Sequence, residues 1–177
     1  YSGISEWRHQ AGTDDTPPVD QELIEPTLQY YRDLSAEFPG TLDSHGDLTA
    51  GTIALIMKSV HERDDRQLTS QYASGAGHSL TQVLEEVLQT GLIHGEVAAL
   101  GGLAVCWAAD DYGELVEFMG ACKVRYRPAD MGLRKDQLRA VFDYAKDFYP
   151  AKGMDTILGR EPLIGNRFDD FWKFIES

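Results

Sequence analysis

Two histidines stand where a reactive site would be built. His78 closes the run Ser74-Gly75-Ala76-Gly77-His78, and His94 lies in Leu92-Ile93-His94-Gly95-Glu96; each opens a stretch of helix-like apolar spacing. Neutral imidazole is a favoured ligand for zinc, iron and nickel, and histidine changes charge nearest to neutral pH. The chemistry on offer is therefore metal ligation or acid–base work, set against the plainer reading of two histidines that cap or edge a core. Spacing leaves open whether the rings meet, because the starts of two antiparallel helices need not be adjacent. Gln82 falls one turn after His78 on the same face, where it would contact anything bound there. Glu96, near the start of its helix, either favours the helix dipole or orients His94 as a hydrogen-bond acceptor. His9 divides between a site role and the solvated surface. His45 and His61 sit beside loop or charged residues and read as solvated, and Lys152 is the further candidate for a phosphate contact.

The elements that must position these residues read as helices. From Asp20 to Phe38 the residues Leu23, Ile24, Leu28, Tyr30, Tyr31 and Leu34 recur at helical spacing until Pro39-Gly40, with Pro26 tolerable in the first turn or at a kink. A second helix is expected from Asp47 as N-cap through Leu48, Ile53, Leu55, Ile56 and Val60, fading in the charged run Glu62 to Arg66. After the Ser74–Gly77 turn, Leu80, Val83, Leu84, Val87 and Leu88 mark one face. His94 to Ala109 is small or apolar all round, which predicts a buried central helix whose Gly101-Gly102 pair lets a neighbour approach closely. Glu114–Val124, Lys135–Phe148 and Phe168–Ile175 complete the series. No period-two alternation, internal repeat or Gly-rich phosphate loop is found, so the expected fold is an all-α bundle of six to eight helices in a single domain spanning 1–177.

Composition narrows the partners. The 177 residues carry 16 Lys or Arg against 29 Asp or Glu, a formal net charge of −13. Nucleic acid and anionic membranes both require a cationic footprint, so neither is an expected partner. Cys106 and Cys122 form no CxxC pair and read as thiols of a reducing, cytoplasmic compartment. No run approaches the roughly eighteen uncharged apolar residues of a membrane helix, and the start lacks a basic segment leading into an apolar one, so a soluble chain is expected. The chain opens on Tyr1 rather than Met, which is expected of a fragment or a processed protein.

The segment Ser74–His78, followed by Leu84-Glu85 and then His94-Gly95-Glu96 with Ala98 and Ala99, resembles the C-terminal helical domain of the iron-containing alcohol dehydrogenase and dehydroquinate synthase superfamily. The resemblance implies a divalent metal, zinc above nickel or iron, held by Glu6, His78 and His94 in a cleft beneath a nucleotide-binding N-terminal domain that this chain lacks. Ser70–His78 and Asp155-Thr156-Ile157-Leu158 are most similar to segments of sn-glycerol-1-phosphate dehydrogenases. That likeness implies an NAD(P)-dependent oxidoreductase acting on a small phosphorylated polyol or ketone, with His78, His94 and Gln82 at the reacting centre. The isolated domain would be inactive without its nicotinamide partner, and a homo-oligomer is compatible with the reading. Gln71 stands where the family segment has Arg, Gly77 where it has Glu, and Gln82 where a second His follows, which removes a guanidinium clamp for phosphate. The Ser-Gly-x-x-Glu setting of Glu6 is similar to dehydroquinate synthase-like sugar-phosphate cyclases, the alternative enzyme class, although His9 replaces their Lys. A non-catalytic helical module is the alternative outside enzymes.

Overall fold

The computed structural model describes residues 1–10, 20–65, 76–89 and 91–177, and these are helical with no strand. Among the described residues nine α-helices follow in order: α1 (Ser2–Gln10), α2 (Gln21–Glu37), α3 (Ala50–Asp65), α4 (Ala76–Leu88), α5 (His94–Ala108), α6 (Gly113–Ala121), α7 (Lys135–Ala151), α8 (Ile157–Arg160) and α9 (Gly165–Glu176), with 3₁₀ turns at Phe38–Thr41 and Pro128–Met131. The all-α expectation holds: eight of these helices run nine residues or more, and α8 is a single turn. Among the described residues, no helix is long and apolar enough to cross a membrane.

The core is arranged around α5. Having no polar face to offer water, α5 buries Val97, Leu100, Gly101, Gly102, Leu103, Ala104, Val105, Cys106 and Ala108. Against it pack Leu80, Val83 and Leu84 of α4, Leu138, Val141, Phe142 and Ala145 of α7, and Phe168, Phe171 and Ile175 of α9. The closest approach is between α4 and α5, where a β-carbon placed on Gly77 would stand 2.8 Å from the Gly102 backbone. Glycine is required there because any side chain would push the two backbones apart. The expectation for Gly101-Gly102 is met, and Gly77, read from sequence as part of a turn, lies inside α4 as the other half of the contact. Smaller clusters join Ile4 to Ile24 and Leu28, and Leu34 and Phe38 to Leu55.

Several ends move from their expected positions. The cap of α3 is Thr49 rather than Asp47: Thr49 Oγ1 accepts the Thr52 N–H at 3.2 Å, and the helix starts at Ala50. The Asp47 N–H is instead turned back onto the Asp43 carboxylate at 2.9 Å. Of the apolar face expected for α3, only Leu55 is buried. Pro26 lies in α2 past its first turn. The helix α6 stops at Ala121, short of Val124, because Lys123 takes a left-handed φ of 52° while Val124 N–H bonds Met119 O at 2.9 Å, a Schellman ending. The same device ends α5, with Asp110 at φ 55° and the Asp111 N–H on Cys106 O at 2.8 Å. The nine residues of α1 were not read as a helix, since Ile4 and Trp7 are too few to show a period. The Leu23 side chain, Gln71 and the stretch Ser70–Gly75 lie outside the described residues.

An ion cluster clamps α9 onto α7. Asp169 meets Lys135 Nζ at 2.6 Å and Arg139 Nη2 at 2.7 Å, and the Arg139 guanidinium also lies 4.7 Å over the Phe168 ring. The Lys135 hydrogen bond, helped by the Arg139 charge, holds the Asp169 carboxyl below its ordinary range. A carboxylate depressed in the folded state adds stability above the unfolded value of roughly 4 and loses it as pH falls through the folded value. Asp169→Asn is therefore expected to lower the urea midpoint at neutral pH, with the gap to the parent closing as pH falls below about 4. Identical midpoints at neutral pH would show that the clamp contributes nothing.

Candidate metal centre

The hairpin of α4 and α5 sets the site. The N–H of Gln89, at φ 50°, bonds Glu85 O at 3.0 Å and closes α4, after which the chain returns into α5. Ile93 is the extended residue before α5, and its carbonyl accepts the N–H groups of Glu96 and Val97 at 3.0 and 3.2 Å. His94 is thus the first residue of α5 and His78 the third of α4. With Gly77 seated on Gly101 and Gly102, the imidazoles of His78 and His94 lie with centroids 4.7 Å apart, edge to face at 71°. Both residues are exposed, so the pair is open to solvent and to a ligand. The convergence that spacing left open is present.

Glu6 is elsewhere engaged. It is buried on α1, and its Oε1 accepts the Ile157 N–H at 2.9 Å, at the start of α8. Among the described residues, no three His, Cys, Asp or Glu side chains lie close enough together to hold a metal ion. The structure therefore brings the two histidines together and does not bring Glu6 to them as a third ligand. The α8 start competes for this carboxylate, because the first N–H groups of a helix lack internal partners and favour an anion. Tyr149 bonds Ser79, the neighbour of His78 in sequence; burial, with the Glu6 charge adding to it, pushes the Tyr149 hydroxyl up to about 12.

The remaining candidates have definite places. Gln82 is exposed on α4, one turn after His78. Glu96 pairs with Arg125 at 3.1 Å, so its carboxylate has a cationic partner besides the helix dipole. His9 meets Glu161 at 2.9 Å, and Glu161 is also held by Arg167, whose guanidinium donates to Ala108 O at 3.0 Å. That network ties α1 to α9 and to the end of α5, so His9 serves as a structural link. His45 and His61 are exposed, in agreement with their solvated reading. Lys152 rests 5.6 Å over the Phe148 ring.

A second polar cluster had no signal in the sequence because its members are about a hundred positions apart. The Cys106 thiol reaches Ser5 Oγ at 3.5 Å, Ser5 donates to Asp111 Oδ2 at 2.7 Å, and Arg8 stands 3.3 Å from the same oxygen. Burial pushes the Cys106 thiol up, so it is a poor nucleophile. Arg32 nearby bridges Glu25 and Glu114, both at 2.7 Å. Arg8 and Arg32 are engaged by carboxylates, and the evident work of the cluster is to fasten α1 to the turn after α5 and α2 to the start of α6. Compared with models of known protein families, with curated proteins and with solved structures, the chain matches none.

Proposed function

We propose that the chain is the helical, metal-binding domain of an NAD(P)-dependent dehydrogenase of the sn-glycerol-1-phosphate type, with His78 and His94 as its protein ligands to a divalent metal, zinc first. The observation that supports this is the 4.7 Å separation of two exposed imidazoles held by a rigid glycine crossing. Imidazole suits zinc, nickel and iron, and the two rings supply two of the three protein ligands that a catalytic zinc site carries. Once bound, such an ion supplies Lewis-acid polarisation of a carbonyl. The chain's own residues do the rest. The α4–α5 crossing orients the rings, and Gln82 presents an amide one turn away that can donate to or accept from a polyol hydroxyl. Hydride chemistry belongs to a nicotinamide domain outside this sequence, so the domain alone is inactive.

A second reading, the non-catalytic helical module, is favoured by the engagement of Glu6 at α8 and by the lack of a three-ligand group among the described residues. Calorimetric zinc titration separates the two. The dehydrogenase reading expects one ion per chain and a loss of affinity on the order of tenfold or more in His78→Ala and in His94→Ala, since even partners behind a ligand contribute 10- to 100-fold. Absence of zinc uptake, or uptake equal in both variants and the parent, selects the module.

A further inference from the structure

The helix α3 turns an apolar stripe to solvent. Ile53, Ile56, Met57 and Val60 follow the i, i+3, i+4, i+7 spacing of a face made to pack against a helix, yet they are 54%, 39%, 62% and 39% exposed. Leu48, 61% exposed, extends the patch beyond the helix start. The inward side of α3 is separately satisfied: Leu55 packs with Leu34 and Phe38, and Thr52 Oγ1 donates to Thr41 O at 2.7 Å. A single exposed apolar residue is ordinary, but five together mark an interaction surface.

We propose that a second copy of this chain covers the stripe, α3 lying antiparallel on α3 about a two-fold axis that passes between Ile56 and Met57. The spacing is self-complementary in that register. Ile53 of one copy faces Val60 of the other, and Ile56 faces Met57, so the same four residues serve both sides, as an isologous interface requires. Charge favours the same arrangement. A chain of net charge −13 repels its copy over most of its surface, but the segment from Ala50 to His61 contains no acidic residue and a single cation, Lys58. The antiparallel register also sets Glu62 of each copy over Gly51 in the first turn of the other's α3, where the helix dipole favours a carboxylate. Ile53, Ile56, Met57 and Val60 exposed to this degree present on the order of 350 Å² per copy, so the stripe alone buries about 700 Å² in a pair, and Leu48 with the adjoining groove must bring it to the roughly 1,000 Å² of a specific interface. The apolar groove beside it, lined by Leu34, Phe38, Leu48, Ile56 and Phe118, lets the interface extend past the helix.

Sedimentation equilibrium of the 177-residue chain tests this pairing independently of the metal. A monomer–dimer equilibrium is expected, weakened on the order of tenfold or more by Ile53→Glu and by Met57→Glu, and unchanged by Lys58→Ala. The substituted positions face solvent, and unchanged far-ultraviolet circular dichroism will establish that both glutamate variants fold. As a second readout, Met57→Cys in a Cys122→Ser background is expected to form an intermolecular disulfide readily and Lys58→Cys slowly, because only position 57 lies near the axis. A chain that stays monomeric at the highest attainable concentration overturns the proposal. So does a dimer that both glutamates leave unchanged, or a stripe that binds a different protein domain while the chain remains single.

Discussion

Gly101→Ala is expected to destabilise the chain by about 2 kcal/mol, even though alanine is the better helix former. The propensity gain is worth about 1 kcal/mol. Against it, the new methyl group would be driven into the Gly77 backbone carbonyl, an atom that cannot rotate aside as a flexible side chain would. Overpacking of this kind costs up to about 3 kcal/mol, and the clash wins. For a chain of this size the loss corresponds to a fall of about 4–8 °C in Tm. Gly120→Ala supplies the control, because a β-carbon there meets nothing within 4 Å; that variant should hold or slightly raise Tm. Since the glycine crossing positions His78 against His94, Gly101→Ala should also weaken zinc uptake. A Gly101→Ala protein as stable as the parent would show that α4 and α5 are not packed backbone to backbone.

Glu6→Ala is expected to cost about 1.5–3 kcal/mol, the range for a hydrogen bond that involves a charged partner, because the Ile157 N–H is left unsatisfied at the buried start of α8. Glu6→Gln keeps an amide oxygen for that N–H and should retain more of the stability. The pair of variants also separates two roles for this residue. If the carboxylate serves α8, zinc affinity in Glu6→Gln equals that of the parent. If it leaves Ile157 to join the ion, zinc affinity falls in Glu6→Gln while unfolding changes little. The engagement at α8 leads us to expect the first outcome, read by chemical denaturation and zinc titration on the same samples.

The bundle was legible in the sequence because its long helices carry apolar residues at the helical period, and α5 was placed at the centre because it has no polar face. The Gly101-Gly102 pair announced a close approach, but its partner Gly77 was hidden inside what read as a turn. The helix α3 was legible but the exposure of its face was not, because an amphipathic stripe states that a helix packs against something, not that the partner belongs to the same chain. The end of α5 was legible to within a residue, whereas the end of α6 was missed because Lys123 occupies a left-handed position where glycine is the usual signal. At the site, the histidines could be chosen by type and surroundings, and their meeting depended on a crossing that no spacing specifies. Glu6 was chosen by resemblance alone. Nothing in the sequence revealed that Ile157, 151 positions away, would claim its carboxylate. Arg125 beside Glu96 and Asp111 beside Ser5 were unreadable for the same reason, since polar contacts between distant segments leave no local pattern.

The central claim is that one ion is shared by the side chains of His78 and His94. X-ray absorption at the zinc edge, recorded on the chain loaded with one equivalent, reads the ligands directly. Two imidazole nitrogens at about 2.0–2.1 Å are expected, falling to one in either alanine variant. A spectrum without imidazole scattering, or one that neither substitution alters, would contradict the assignment.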